Sequence, residues 1–543
     1  MNVQNVFKRN DWYMIKKIIK KNTDDLSLLT DLGHIYELQG DKKKSEKVYE
    51  EAIKSVTFNE NQILGLANSF VQKEMFDYAI KTYLEGRKVS NNYLPFFIEI
   101  AEVYQKKQDV LAMLDAYLQS VAYSEQYLEP VQSRLQDFIA EDINGKRVEV
   151  LKQMLIRAIQ KNSDLVVYNE LMIWLAIQIK DFDAAFVQCK ALDKKYKEDG
   201  KRLFDLAKIA LENNAYDKAS ECYKYVISKG EDGFFYINSK VALVNTEYKR
   251  ITSDVSISEE KRYSLKNEFK NTISELGISS TTFQLVLEYS HFLAFYMHNI
   301  PESIENLNSI IDLPNAPPKN KAYAKIELAD ILLLYGDIWE ATLLYSQVDK
   351  AFKNDPIGHE AKFKNAKLSY YRGDFFWALA QLDVLKAATS KLIANDALEL
   401  SLLISDNIEW DSSLLELATY ARADLLFFQN KYDSALFTLD SIKTITLNHP
   451  INDEVLYKKA QIYDILGDFE KAVSYLEQIS IAYSEGILGD DAMFLMAQMY
   501  ENKLHNNEKA KELYKDFLIK YPGSIYTTEA RKRFRTLRGD SIN

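Results

Sequence analysis

The residue types that most often carry chemistry are thinly spread along these 543 residues. The six histidines stand at positions 34, 291, 298, 359, 449 and 505, without a spacing that a metal ion would use. His291 and His298 are seven apart and could share a helix face, but with no third ligand they read as two ordinary helix residues. Cys189 and Cys222 are too few for a disulfide framework or a cysteine zinc site, and are read as small buried hydrophobes. No phosphate-cradling glycine loop, dinucleotide fingerprint, His-Glu-x-x-His motif or G-x-S-x-G elbow is present. The expectation is therefore no catalytic residue, no metal site, no cofactor and no enzymatic activity.

Two groups of residues point to binding instead. Phe363, Tyr420, Tyr457 and Phe494 each stand three residues before an alanine, at 366, 423, 460 and 497. Rings repeated in that way could hold an extended peptide or a partner helix, because aromatics offer large contact area at low entropic cost. The plainer reading makes them packing between helices. Near the end, Arg531, Lys532, Arg533, Arg535 and Arg538 form a basic cluster on a chain whose net charge is −11. They suit lipid headgroups or an acidic partner, or else a solvated helix face that complements its own C-terminal dipole.

The elements that must position these residues repeat. Leu32, Leu66 and Ile100 recur every 34 residues, followed by Gly33, Ala67 and Ala101, then Tyr36, Phe70 and Tyr104, and finally Tyr49, Tyr83 and Tyr117. A second signal, an aromatic or apolar residue with a small one three positions on, appears at Phe76 with Ala79, Phe182 with Ala185 and Tyr216 with Ala219. Small residues let two helix backbones approach, and the rings fill the space beside them. Gly-Asp turns at 40–41, 336–337, 373–374 and 467–468 separate the helices of a pair. In the C-terminal half Ala341, Ala378, Ala435, Ala472 and Ala510 follow at intervals of 37, 57, 37 and 38, so residues 387–413 hold a helical insert. Residues 125–165 are read as a spacer. Only 9 prolines and 17 glycines occur, as a chain that is nearly all helix requires.

Three segments are expected: residues 1–227, an irregular helical region at 228–320 with one degenerate repeat, and residues 321–543 ending in a capping helix at 524–538. Ser258 and Glu260 mark a helix start within the middle segment, and DLPNAPPKN at 312–320 is its far boundary. The acidic balance argues against nucleic acid as a partner. No apolar run approaches the roughly 20 residues of a transmembrane helix. MNVQNVFKRNDWYMIKKIIKK has no continuous apolar region of the kind an export signal needs, which by itself favours the cytosol.

The 34-residue lattice resembles the tetratricopeptide repeat (TPR) over almost the whole chain. That resemblance implies an all-α superhelical solenoid of stacked antiparallel helix pairs, with about ten to eleven repeats and a capping helix. It also implies that the first helix of each pair lines a groove for other proteins or peptides, where Phe363, Tyr420, Tyr457 and Phe494 would stand. The clamp that some TPR domains use for an acidic peptide terminus is not matched, since Asn68 is suitably placed but position 64 is Leu rather than Lys. Trp339–Leu398 resembles an uncharacterised TPR family of the Bacteroidota, and Glu529–Asp540 is similar to the end of that family. The family's members begin with an export signal and one further repeat. The resemblance therefore implies a scaffold in the bacterial cell envelope, periplasmic or associated with the outer membrane, whose leader is missing from this sequence. A cytosolic regulator that senses a peptide is the alternative.

Overall fold

The computed structural model describes residues 16–19, 22, 25–140, 142, 145–253, 257–388, 391–410, 414–442 and 451–539, and every regular element among them is a helix. The fold is an all-α repeat solenoid. Most helices pack on a neighbour in sequence, and alternate helices such as Ser27–Leu38 and Glu60–Gln72 also touch.

The first pair explains the lattice. Gly33 lies in helix Ser27–Leu38 against Tyr49 of helix Lys42–Lys54, and a Cβ at Gly33 would fall 2.2 Å from the tyrosine ring. That ring meets Phe70 of the next pair edge-on, with centroids 5.5 Å apart. Ala67 with Tyr83 and Ala101 with Tyr117 repeat the arrangement, all four buried. Ala341, Ala378, Ala435, Ala472 and Ala510 stand in the second helices of the C-terminal half and are fully buried.

The turns follow one geometry. Gly40 and Gly336 close their helices at φ +82° and +108°. The following Asp41 and Asp337 accept the backbone N–H of Lys44 and Glu340, capping the next helix. Glu74, Gln108, Lys180, Asn214 and Asn430 occupy the same left-handed position without being glycine, at φ of 57° to 61°. Composition alone marked only the glycine versions.

Residues 125–165 form two helices, Leu128–Ala140 and Lys146–Lys161, with Val131, Leu135, Leu151 and Leu155 buried in the surrounding core. Apart from Phe138 their buried core is aliphatic, and it lacks the pairing of a small residue with a ring at the repeat spacing, so the sequence reading as a spacer missed them. Ser258 accepts the N–H of Lys261 and starts helix Glu259–Leu276, which ends at Gly277. The insert is helix Lys391–Trp410, with residues 411–413 outside the described residues. The terminal helix runs Thr527–Arg538 and buries only Ala530 fully.

Two compact units result, Met1–Leu192 and Asp193–Ile542. The 228–320 region lies wholly in the second. Its core is continuous across 312–320, because Phe283, Val286 and Leu307 share one apolar cluster with Ala322, Ile326 and Ala329. The proline cluster is thus a turn, and Pro318 opens the next helix. Cys189 and Cys222 are buried. Helix Phe283–Phe295 ends before His298, so His291 and His298 share no helix face; His291 Nδ1 lies 2.9 Å from Glu327 and its ring stacks on Phe295. His449 lies outside the described residues.

Candidate partner-binding face

In the second unit the first helices Pro318–Tyr335, Pro356–Tyr371, Leu415–Phe428 and Ile451–Ile465 touch in succession. Ala329, Ala366, Ala423 and Ala460, all fully buried, stand along this row. Helix Gly489–Asn502 carries Ala497 in the same role. The four aromatic candidates divide into two kinds on this row.

Phe363 and Tyr457 are half-buried and line cavities. Tyr420 and Phe494 are buried in packing and present no ring to a groove, which corrects the expectation for these two. The Tyr420 hydroxyl donates to Glu454 at 3.4 Å. Phe494 stacks on Tyr526 at 4.5 Å and also meets Tyr514 and Phe517, so residues of helix Asn507–Lys520 and of the turn after it cover it. Three residues back from an alanine is a position facing the next pair, and neighbouring bulk decides whether it stays open.

The cavity beside Phe363 has about 510 Å³ and is charged within. Lys364 pairs with Asp330 at 2.7 Å, and the Tyr345 hydroxyl donates to the same carboxylate. Burial alone would lower the Lys364 ammonium, yet Asp330 and Glu360 hold it above its ordinary value. Burial pushes the Tyr371 hydroxyl well up, and that oxygen has no hydrogen-bond partner.

The cavity beside Tyr457 has about 610 Å³ and carries one sign of charge. Glu399, Asp406, Asp453, Glu454 and Asp491 line it. Burial raises Glu399, Asp453 and Asp491, and pushes Glu454 up to about 8, with Asp453 adding to the effect. Sequence reasoning missed this group. Asp453, Glu454 and Asp491 sit in the first turns of their helices, where carboxylates ordinarily complement the helix dipole, so they carried no distinct signal.

The basic cluster does not act as a block. Arg533 bonds Glu501 and Glu529, each at 2.9 Å, and Glu501 also accepts from Tyr514, so this arginine ties the last helix to the two before it. Arg538 lies over the Phe534 ring at 5.2 Å. Arg531, Lys532 and Arg535 are exposed. Asn68 is exposed and Leu64 half-buried, on the Glu60–Gln72 helix.

Family models for the tetratricopeptide repeat match residues 26–55, 453–479 and 491–524. The chain carries tetratricopeptide repeats at these positions. Its TPR pairs at 26–55 and 491–524 are the ones described above at Gly33 with Tyr49 and at Phe494 with Tyr514. No curated protein matches the sequence significantly. Among solved structures, yeast Tom70 aligns at 14% identity over 94% of this chain and 100% of its own, with a TM-score of 0.31. A Naa15/Naa10 complex bound to HypK-THB aligns at 15% identity, 97% and 94% coverage and a TM-score of 0.28. The APC/C Cut9–Hcn1 hetero-tetramer aligns at 12%, 97% and 92%, with 0.25. As a TPR protein the chain has the architecture of a protein-interaction scaffold. Among the described residues no helix is long and apolar enough to cross a membrane.

Proposed function

We propose that this TPR protein is a non-enzymatic scaffold of the bacterial cell envelope, holding protein partners along the first-helix face of its second unit. The observation that carries the interaction reading is the succession of first helices with two cavities opening between them, one at Phe363 and one at Tyr457. A row of sites on a stack of repeats suits a partner that runs along it as a strand or helix. The likeness of Trp339–Leu398 to a Bacteroidota TPR family supports the envelope placement. The acidic balance favours protein over nucleic acid as partner.

The test is affinity capture of the tagged full-length protein from fractionated cells, with mass spectrometry of the bait and its partners. The expected result is bait in the periplasmic or membrane fraction, with a reproducible partner set lost from a Phe363→Ala, Tyr457→Ala double variant of unchanged helicity. Partner capture unaffected by both substitutions sinks the first-helix face. Bait in the soluble cytoplasmic fraction with cytosolic partners leaves the scaffold but moves it to the alternative, a cytosolic peptide sensor.

A further inference from the structure

The cavity beside Tyr457 gathers five acidic side chains with no cation among the residues that line it. Glu399, Asp406, Asp453, Glu454 and Asp491 come from three helices, Lys391–Trp410, Ile451–Ile465 and Gly489–Asn502. None of the five forms an ion pair with a described residue; Lys458, which acts on Glu454 and Glu399, is engaged with Asp424 at 2.9 Å, and Lys367 acts on Glu399 from outside the lining. Carboxyls gathered in a cleft without cations are costly to ionise in the free protein, and Glu454 accordingly keeps its proton up to about pH 8, to be released when a cation enters.

A second observation concerns neutral groups. Asn407 is 3% exposed and lines the same cavity; its amide nitrogen donates to Leu403 O at 2.8 Å, while its Oδ1 has no partner. Gln461, on the facing helix, likewise leaves its Oε1 buried without a partner. Buried acceptors without donors are rare and expensive. Every unsatisfied group here is an acceptor, so the complementary ligand is a donor and a cation.

Two chemistries compete for that description. A metal ion needs several ligands converging on one point, and among the described residues no three His, Cys, Asp or Glu side chains are so grouped. The carboxylates are instead distributed across three helices, as positive groups strung along a chain would need. The Tyr457 and Tyr526 rings in the wall suit the aliphatic stems and charged heads of long basic side chains. Lysine offers three donors and arginine five, enough to meet both the carboxylates and the two orphan carbonyl oxygens.

We propose that this cavity receives lysine or arginine side chains of a partner protein segment lying along the first-helix face. The proposal rests on the scaffold reading and gives it a partner chemistry, a basic segment rather than the acidic terminus bound by other TPR clamps.

The test is fluorescence anisotropy of the purified full-length protein with a labelled peptide alternating lysine and serine. The same peptide with every lysine acetylated, and free spermidine, are run alongside. The expected result is saturable binding of the lysine peptide and none of the acetylated one. Affinity should fall by roughly tenfold or more in an Asp453→Asn, Glu454→Gln double variant, about 1.4 kcal/mol. A Glu399→Lys variant, which supplies a tethered ammonium to the cavity, should block binding while circular dichroism shows an intact fold. Glu508→Gln with Glu512→Gln, on exposed acids of helix Asn507–Lys520, should bind as the parent does. Equal loss in that control overturns the site in favour of diffuse charge attraction. Spermidine binding without peptide binding overturns the protein source. Failure of the lysine peptide while Phe363-dependent partner capture persists overturns this proposal and leaves the scaffold standing.

Discussion

Gly33 is a residue where one added methyl group is felt directly. A Cβ there falls 2.2 Å from the ring of Tyr49, itself confined by Phe70 and Tyr78. Gly33→Ala gains about 1 kcal/mol of helix propensity but overpacks a buried ring at a cost of 1–3 kcal/mol, so a net loss of about 1 kcal/mol is expected in urea unfolding. The same substitution in a Tyr49→Leu background should be neutral or stabilising, and equal losses in both backgrounds would show that the ring is irrelevant. Glu454 makes a second prediction at this scale. Asp453, Glu399, Lys458 and the Tyr420 hydroxyl face its carboxyl, and burial with Asp453 lifts it from 4.5 to about 8. The folded state then binds a proton that the unfolded state has released. Its contribution is fully present below pH 4.5 and is lost as pH rises through about 8. The loss is at most about 5 kcal/mol, and less because neighbouring carboxylates titrate with it. Thermal melts should fall across this window and flatten in Glu454→Gln; a parallel fall in the variant would assign the pH dependence elsewhere. Gly33 was legible in the sequence through its 34-residue register, whereas Glu454 was not, because an acid in a first helical turn has an ordinary explanation.

At the scale of elements, repetition decided what could be read. Pairs joined by Gly-Asp announce both helices and the turn, because glycine takes the left-handed cap and aspartate starts the next helix. The pair at 128–161 has neither this turn nor the alanine and ring spacing, and its largely aliphatic core, with Phe138 the one buried ring, gives no register to follow. Five further turns hold the same left-handed conformation without glycine, two with asparagine, which tolerates it, and three with Glu74, Gln108 and Lys180, for which it is strained. Gln108 at φ 61° precedes Asp109, whose side chain caps the next helix through Ala112 N–H. Gln108→Gly therefore keeps the cap and removes the strain, and should stabilise the first unit by about 1 kcal/mol. Urea unfolding followed by circular dichroism checks this, and a destabilised variant would mean that the glutamine side chain does something the turn geometry does not require. The aromatic ladder shows the opposite limit. Spacing placed Phe363, Tyr420, Tyr457 and Phe494 alike, but the neighbouring helices left only Phe363 and Tyr457 against open space.

At the scale of the molecule, stacking makes every pair a neighbour problem, which is why repeats were legible and the division of the chain was not. The two units part at Leu192, inside helix Phe182–Tyr196, where a turn-based reading has no mark to find. Charge is the other whole-molecule property, and it bears on how a basic partner would arrive. With 79 acidic and 68 basic residues the protein carries −11, and one cleft gathers five acidic side chains without a lining cation, of which Glu454 keeps its proton up to about pH 8. Low-dielectric walls focus such a field, so a cationic segment should be steered to the cleft before short-range contacts form. Steering acts on association and is screened over about 10 Å at 0.1 M salt, whereas buried hydrogen bonds to Asn407 and Gln461 act on dissociation. Stopped-flow measurement with the lysine peptide should then show kon falling by roughly tenfold or more between low and high salt while koff changes little. An Asn407→Leu variant should behave in reverse, with kon kept and koff faster, because it removes a desolvated acceptor and no charge. If salt acted on koff alone, the carboxylates would be short-range ligands without long-range reach, and the net charge would have no part in partner capture.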